Sequence, residues 1–235
     1  MTFHIITLFP ESFGSYIENS IIGRAIREKK IKLRFYNPRD FISAKNKTGY
    51  KSVDNKPYGG GPGMVIEALP ILKAVSAALS KIRSPKSEAL NKKIKIIIFQ
   101  ANAKQFTNQL ARQWENKYDH LIMICGRYEG IDARVKKILK TCQPAGRAEE
   151  VSVGPFVLTG GELPALVVLD AVSRQVDGVL GKFESLEEER TASGEVYTRP
   201  EILKYQSKNY KVPKVLLSGN HAEIDKWRAD RQSRH

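Results

Sequence analysis

One stretch constrains this chain more than any other: Glu149 to Arg174, EEVSVGPFVLTGGELPALVVLDAVSR. Its first half is a short extended run broken by Gly154 and Pro155. Its second half opens on Gly160-Gly161-Glu162-Leu163-Pro164 and continues as a dense apolar run from Ala165 to Val172 at mostly helical spacing. That density argues for a buried helix. A Gly-Gly pair ahead of a proline near a helix start lets backbone approach a ligand closely and leaves N–H groups directed outward. The combination describes a small-molecule pocket with Arg174 closing the helix beside it. A tight turn feeding a core helix is the competing reading.

The elements around this stretch predict an α/β layer. Phe3 to Phe9 reads as an apolar strand ending at Pro10. Helices follow at Glu11–Glu18 and Ser20–Lys29, the second capped by Ser20, and then a short alternating strand from Ile31 to Tyr36. Ala68–Ile82 is helical in pattern. Ile94–Gln100 and Leu121–Cys125 read as buried parallel strands, with helices at Lys104–Asn116 and Ala133–Thr141. In open α/β sheets ligands sit beyond the carboxyl ends of strands, which directs attention to Phe99-Gln100 and Gly126 to Gly130. No G-x-G-x-x-G is present, which disfavours a Rossmann dinucleotide site.

Between these elements, Asn37 to Asn55 is a polar, basic loop that leads into Lys56-Pro57-Tyr58-Gly59-Gly60-Gly61-Pro62-Gly63-Met64. Three glycines bracketed by prolines make a shaped loop, wrapped around something or turning a tight corner. It is not a Walker loop, because no Gly-Lys-Ser/Thr follows. Lys and Arg number 39 against 25 Asp and Glu, a formal net charge of +14. An excess of that size points to nucleic acid as partner. Cys125 and Cys142 and the four histidines show no metal-ligand or disulfide spacing, so a structural zinc is disfavoured and no metal site is assigned. No apolar run reaches a membrane span, and the N-terminus lacks a basic region before its apolar stretch, so a cytoplasmic protein with no membrane partner is expected.

Three blocks carry a resemblance: Asp54 with Lys56 to Met64; Cys125-Gly126-Arg127-Tyr128-Glu129-Gly130-Ile131-Asp132; and Val157 to Pro164 with Asp170 to Arg174. Together they closely resemble the bacterial tRNA (guanine-N1-)-methyltransferases of the SPOUT superfamily. Tyr197-Thr198-Arg199-Pro200 and Leu217 to Ile224 match that family's C-terminal signatures, so the likeness runs along nearly the whole chain.

The resemblance implies a SPOUT-type α/β fold with a deep trefoil knot, a parallel sheet flanked by helices and a small helical C-terminal domain. The implied limits are 1–176 for the S-adenosylmethionine domain, 177–200 for a linker and 201–235 for a tRNA-binding domain. It also implies a homodimer with the site at the interface. The cofactor S-adenosyl-L-methionine would lie against Phe99, Gln100, Gly126, Tyr128, Glu129, Gly130, Val153, Gly154, Phe156, Leu158, Gly160, Gly161 and Pro164, with Glu129 and Glu162 supporting the site. Asp54, Tyr58 and Gly59, Gly60 and Gly61 would shape the guanine pocket. Ser218, Asn220, His221 and Arg228 would grip the anticodon stem-loop. The resemblance also admits Mg2+, which no spacing in the sequence demands.

The implied reaction moves a methyl group to N1 of the guanine at tRNA position 37. That nitrogen carries a proton near neutral pH, so a carboxylate must remove it and a cation must hold charge developing toward O6. Arg174 matches the family's arginine. The family's linker aspartate has no identical counterpart here: counting from Ser185, Glu189 falls at its place, with Glu188 the nearest rival. Other departures are Gln100-Ala101-Asn102-Ala103 where many members have Ser-Pro-Gln-Gly, Phe156 for a common tyrosine, and Pro155 for a common acidic residue. Two alternatives compete: a SPOUT methyltransferase with another RNA target, such as a ribose 2′-hydroxyl, and a non-catalytic RNA-binding protein.

Overall fold

The apolar runs near residues 3, 94 and 121 become neighbouring strands of one parallel sheet, the environment that continuous apolar strands require because both of their faces are covered. The computed structural model describes residues 1–43, 51–83, 93–141, 148–180 and 195–232. Along the chain, β1 (Thr2–Ile6) and β2 (Lys32–Tyr36) precede a small hairpin of β3 (Asp54–Asn55) and β4 (Val65–Ile66), followed by β5 (Ile94–Gln105), β6 (His120–Ile124) and β7 (Glu149–Ser152). The main sheet has the order β2-β1-β6-β5-β7, with every pairing parallel. Helices α1 (Gly14–Ile17), α2 (Ser20–Arg27), α3 (Ala68–Ile82), α4 (Asn108–Lys117), α5 (Ala133–Thr141) and α6 (Glu162–Ser173) supply the covering layers.

Period-two alternation sorts the strand side chains into two cores. Ile6, Ile94, Ile96, Ile98, Ile122 and Ile124 pack with Ile71, Val75 and Ala78 of α3 and with Val135 and Leu139 of α5. Phe3, Ile5, Ile97, Leu121, Met123 and Val151 pack with Ile22 of α2, Trp114 of α4 and Val168, Leu169 and Val172 of α6. Polar groups enter this interior as a bonded set. His4 Nδ1 lies 3.0 Å from the Tyr36 hydroxyl and His4 Nε2 lies 3.0 Å from His120 Nδ1, as buried polar atoms require.

Several local expectations are corrected. Ser20 is the first residue of α2, at φ 54°, with Asn19 in the cap position. The first helical segment is a 3-10 turn, Pro10–Phe13, running into α1. Helix α4 starts at Asn108 rather than Lys104, because Thr107 Oγ1 accepts from the Leu110 N–H at 3.3 Å and Lys104 and Gln105 still belong to β5. That strand is longer than its apolar run: Phe99 and Lys104 both register with Val151 of β7, so Gln100 to Ala103 loop out of the ladder. Helix α6 buries only part of its apolar surface. Leu163 is 57% and Val167 48% exposed.

The chain divides into two compact units, Met1–Gly181 and Lys182–His235. Among its described residues the second carries an antiparallel hairpin of β8 (Ile202–Tyr205) and β9 (Lys208–Lys211), ahead of the helices α7 (Lys214–Leu217) and α8 (His221–Gln232). Gln206 and Ser207 turn it with φ of 45° and 61°. Two consecutive positive φ values are the geometry of a two-residue hairpin turn. The sequence carries no Asn-Gly or Asp-Gly there, which hid the hairpin. No helix among the described residues is long and apolar enough to cross a membrane.

Ile97 is fully buried at the centre of the second core. Ile97→Ala is expected to lower the unfolding free energy by roughly 2–5 kcal/mol, measured as a shift in urea midpoint at unchanged slope.

Candidate functional site

A cavity of about 250 Å³ lies at the carboxyl ends of β6 and β7, beside the point where β5 loops out of its ladder. This is just under the roughly 300–1,000 Å³ of typical small-molecule sites, and its rim carries Tyr128 and Phe156, 50% and 53% exposed. Every residue expected at the cofactor lines it: Phe99, Gln100, Gly126, Tyr128, Glu129, Gly130, Val153, Gly154, Phe156, Leu158, Gly160, Gly161 and Pro164. Ala101, Arg127, Val151, Ser152, Val157 and Thr159 complete the wall. Of these, Arg127 is the functional candidate the sequence reading quoted in a motif without giving it a role.

The glycines of this wall are required by close approach. A Cβ on Gly161 would sit 2.6 Å from the Cys125 Cα, and the Gly161 N–H donates to the Gly126 carbonyl at 2.8 Å. Arg127 and Gly160 form an antiparallel bridge, so the turn before α6 is stitched to the chain leaving β6. At Gly154 a Cβ would meet the Phe156 ring at 2.2 Å, which shows the ring lying over the backbone. The Ser152 hydroxyl donates to the Gly154 carbonyl at 2.8 Å and fixes this bend. Tyr128 has φ 59°, a rare conformation for a bulky residue and one that concentrates at functional sites.

Beneath the turn, Glu162 is 4% exposed. Its Oε1 accepts from the Thr7 hydroxyl at 2.8 Å, and its Oε2 lies 3.0 Å from Arg127 Nε. The second contact is an ion pair without the alignment of a hydrogen bond, since neither atom has a hydrogen-bond partner. The Arg127 guanidinium sits 4.7 Å from the Phe9 ring centroid, within cation–π range. Burial, aided by the negative Glu162, pushes the Cys125 thiol well above its ordinary value. The thiol therefore stays protonated and is no nucleophile. Hydrogen bonding from the Arg134 side chain holds the Asp132 carboxyl below its ordinary value, where it caps α5.

The glycine-rich loop is the tip of the β3–β4 hairpin. Asp54 pairs with Ile66, and the Ser52 hydroxyl lies 3.3 Å from its carboxylate. The base of the hairpin is tied to the cavity rim: Glu129 N–H donates to the Met64 carbonyl, Ile66 N–H to Gly130, and Asp132 N–H to Ile66, each at 3.0 Å. Gly59, Gly60 and Gly61 all have positive φ, nothing among the described residues lies within 4 Å of their Cβ positions, and Tyr58 is fully exposed. The loop is thus fixed at its stem and open at its tip.

Arg174 is not beside the cavity. It caps the far end of α6, its N–H donating to the Asp170 carbonyl at 3.0 Å. The first turn of α6 lines the cavity, and its 12 residues place the two ends roughly 18 Å apart. Glu189 and Glu188 lie outside the described residues. Ser218, Asn220, His221 and Arg228 belong to the second unit. There the Asn220 N–H donates to Ser218 Oγ at 3.1 Å, and Asn220 Oδ1 accepts from the Glu223 N–H at 3.4 Å, ordering the entry to α8. His221 opens that helix, and Arg228 is exposed with Asp225 at 3.4 Å. No group of three or more His, Cys, Asp or Glu side chains able to hold a metal occurs among the described residues.

Comparison with known proteins adds an independent result. The family model described as tRNA (Guanine-1)-methyltransferase TrmD matches residues 1–235. A tRNA (guanine-N(1)-)-methyltransferase of Pseudoalteromonas atlantica is 43% identical over 235 residues, covering 98% of this chain and 79% of the relative. The protein of that name from Clostridioides difficile is 40% identical, covering 100% and 93%. Its namesake from Buchnera aphidicola is 41% identical, covering 96% and 87%. With glycines, cavity and full-length similarity in agreement, the chain belongs to the tRNA (Guanine-1)-methyltransferase TrmD family.

Proposed function

We propose that this chain transfers a methyl group from S-adenosylmethionine to N1 of the guanine at position 37 of tRNA, as a homodimer acting in the cytoplasm. The observation that carries the reading is the convergence of separate motif blocks on one cavity at the strand ends, with the glycine-rich hairpin stitched to its rim. The wall suits the cofactor: apolar Phe99, Val153, Leu158 and Pro164 offer surface for an adenine, and Gly154, Gly160 and Gly161 bring backbone within reach of polar atoms. Bound there, S-adenosylmethionine supplies an electrophilic methyl group.

The chain's own residues supply the rest. N1 of guanine is reached only in an extruded base, and the hairpin tip is open: Tyr58 is exposed, and among the described residues nothing lies within 4 Å of the Cβ positions of Gly59, Gly60 and Gly61. Glu189 takes the N1 proton, and Arg174 holds the charge that develops toward O6. The position of Arg174 at the far end of α6 supports a site completed by a second copy, as do the exposed Leu163 and Val167 on the same helix. The return of residues 153–161 from β7 to the end of β6 supports the knotted SPOUT topology. We assign residues 201–235, with exposed Arg228 on α8, to the anticodon stem, in line with the net charge of +14.

Labelled S-adenosylmethionine and unmodified tRNA transcripts differing only at positions 36 and 37 test the reading: label enters transcripts with guanine at 37 and no others. Label on a ribose, or in a transcript lacking that guanine, sinks it. A carboxylate base works only when ionised, so the single-turnover rate rises with pH and is lost on acidification. Glu189→Gln is expected to remove that limb and slow the reaction by about 10²–10⁴-fold, while Glu188→Gln stays near wild type. Arg174→Ala and Leu158→Lys, each inactive alone, are expected to recover about a quarter of wild-type activity when co-refolded, since half the dimers then carry one intact site.

A further inference from the structure

We infer that Glu162 is a positioning residue for the cavity: its buried carboxylate joins three segments of chain and holds the Gly160-Gly161 turn in register with the end of β6. Neither Glu162 nor Thr7 lines the cavity, whereas Arg127 and Gly160 do. Glu162 therefore acts on the site through other groups. It stands at the first position of α6, directly after the Gly-Gly turn. One carboxylate oxygen accepts from Thr7, just past β1, and the other pairs with Arg127, just past β6. Thr7 is held from its other side, since its hydroxyl oxygen accepts from the Phe9 N–H at 3.0 Å, and the Phe9 ring in turn lies under the Arg127 guanidinium. Thr7, Glu162, Arg127 and Phe9 thus close a ring.

The ring is crowded as well as bonded. A Cβ on Gly160 would lie 2.5 Å from Arg127 Nε and 2.6 Å from Glu162 Oε2, so the charged pair fills the space beneath the turn. A buried ion pair contributes little net stability compared with apolar packing, but removing one partner strands the other charge in the interior. Members of such a network are coupled, so the loss at one is felt at all. With Glu162 neutralised, Arg127 is free to leave Phe9 and Gly160, and the wall it shares with Gly126 to Gly130 loosens around the ligand.

The inference rests on the cavity being the S-adenosylmethionine site. Calorimetric binding of S-adenosylmethionine and steady-state methyl transfer to a tRNA transcript are measured for wild type, Glu162→Gln, Thr7→Val, Thr7→Ser and the Glu162→Gln/Thr7→Val pair. Glu162→Gln is expected to raise both Kd and KM for S-adenosylmethionine by about tenfold or more, as small misplacements in a preorganised site do, with KM for tRNA within about twofold. Thr7→Val shifts the same constants less, Thr7→Ser restores them, and the double variant is no worse than Glu162→Gln alone because both break one ring. Variants that bind S-adenosylmethionine like wild type, or that lose cofactor KM, tRNA KM and Tm in parallel, overturn the inference. Should Glu162→Gln fail to fold, near-isosteric Thr7→Val decides by the same readouts. Wild-type protein that does not bind S-adenosylmethionine overturns the cavity reading and this inference with it.

Discussion

The site depends on how closely the turn before α6 approaches the end of β6. At Gly161 there is no room for a single methyl group against the Cys125 backbone, so α6 can begin only where glycine permits. From that contact the rest follows in order. The Gly161 N–H engages Gly126, Glu162 is carried into the interior, and Arg127 is drawn over Phe9. The turn that forms part of the cavity wall is then held on one side by backbone and on the other by a charged pair.

The sheet determines where polar chemistry can occur. Because both faces of β1, β5 and β6 are covered, their interior positions are closed to water and to ligands. Strand ends are the remaining outlet, and the chain places its unusual backbone there: the excursion of Gln100 to Ala103, the left-handed Tyr128 and the Gly-Gly turn. The far end of α6 is a second, separate locus. A single chain holds the strand-end cavity at one end of this helix and, at the other, the guanidinium assigned to the proposed chemistry.

Much of this was legible in the residues. The apolar runs at Ile94 and Leu121 gave the parallel strands because burial on both faces leaves no polar alternation, and α3 and α5 were read with their observed limits. The cavity wall was legible through its glycines and strand ends. What escaped notice was nonlocal or masked by composition. The continuation of β5 to Gln105 depends on pairing with β7, which no local pattern announces. The β8–β9 hairpin turns on Gln206 and Ser207, residues with no marked preference for positive φ. Arg127, Thr7 and Glu162 are far apart in sequence, and only the fold brings them together. The signal available was an acid at the head of a densely apolar helix.

The open tip of the β3–β4 hairpin has a consequence for selectivity. Glycine has the widest backbone freedom of any residue, and among the described residues nothing lies within 4 Å of the Cβ positions of Gly59, Gly60 and Gly61. Under the proposed function, a nucleotide that orders these glycines would spend part of its binding energy in fixing their backbone. On that reading, a wrong base that failed to order the tip would gain little from touching it. If the tip receives a nucleotide as proposed, discrimination would rest on the ordering of this loop as well as on the strength of contact.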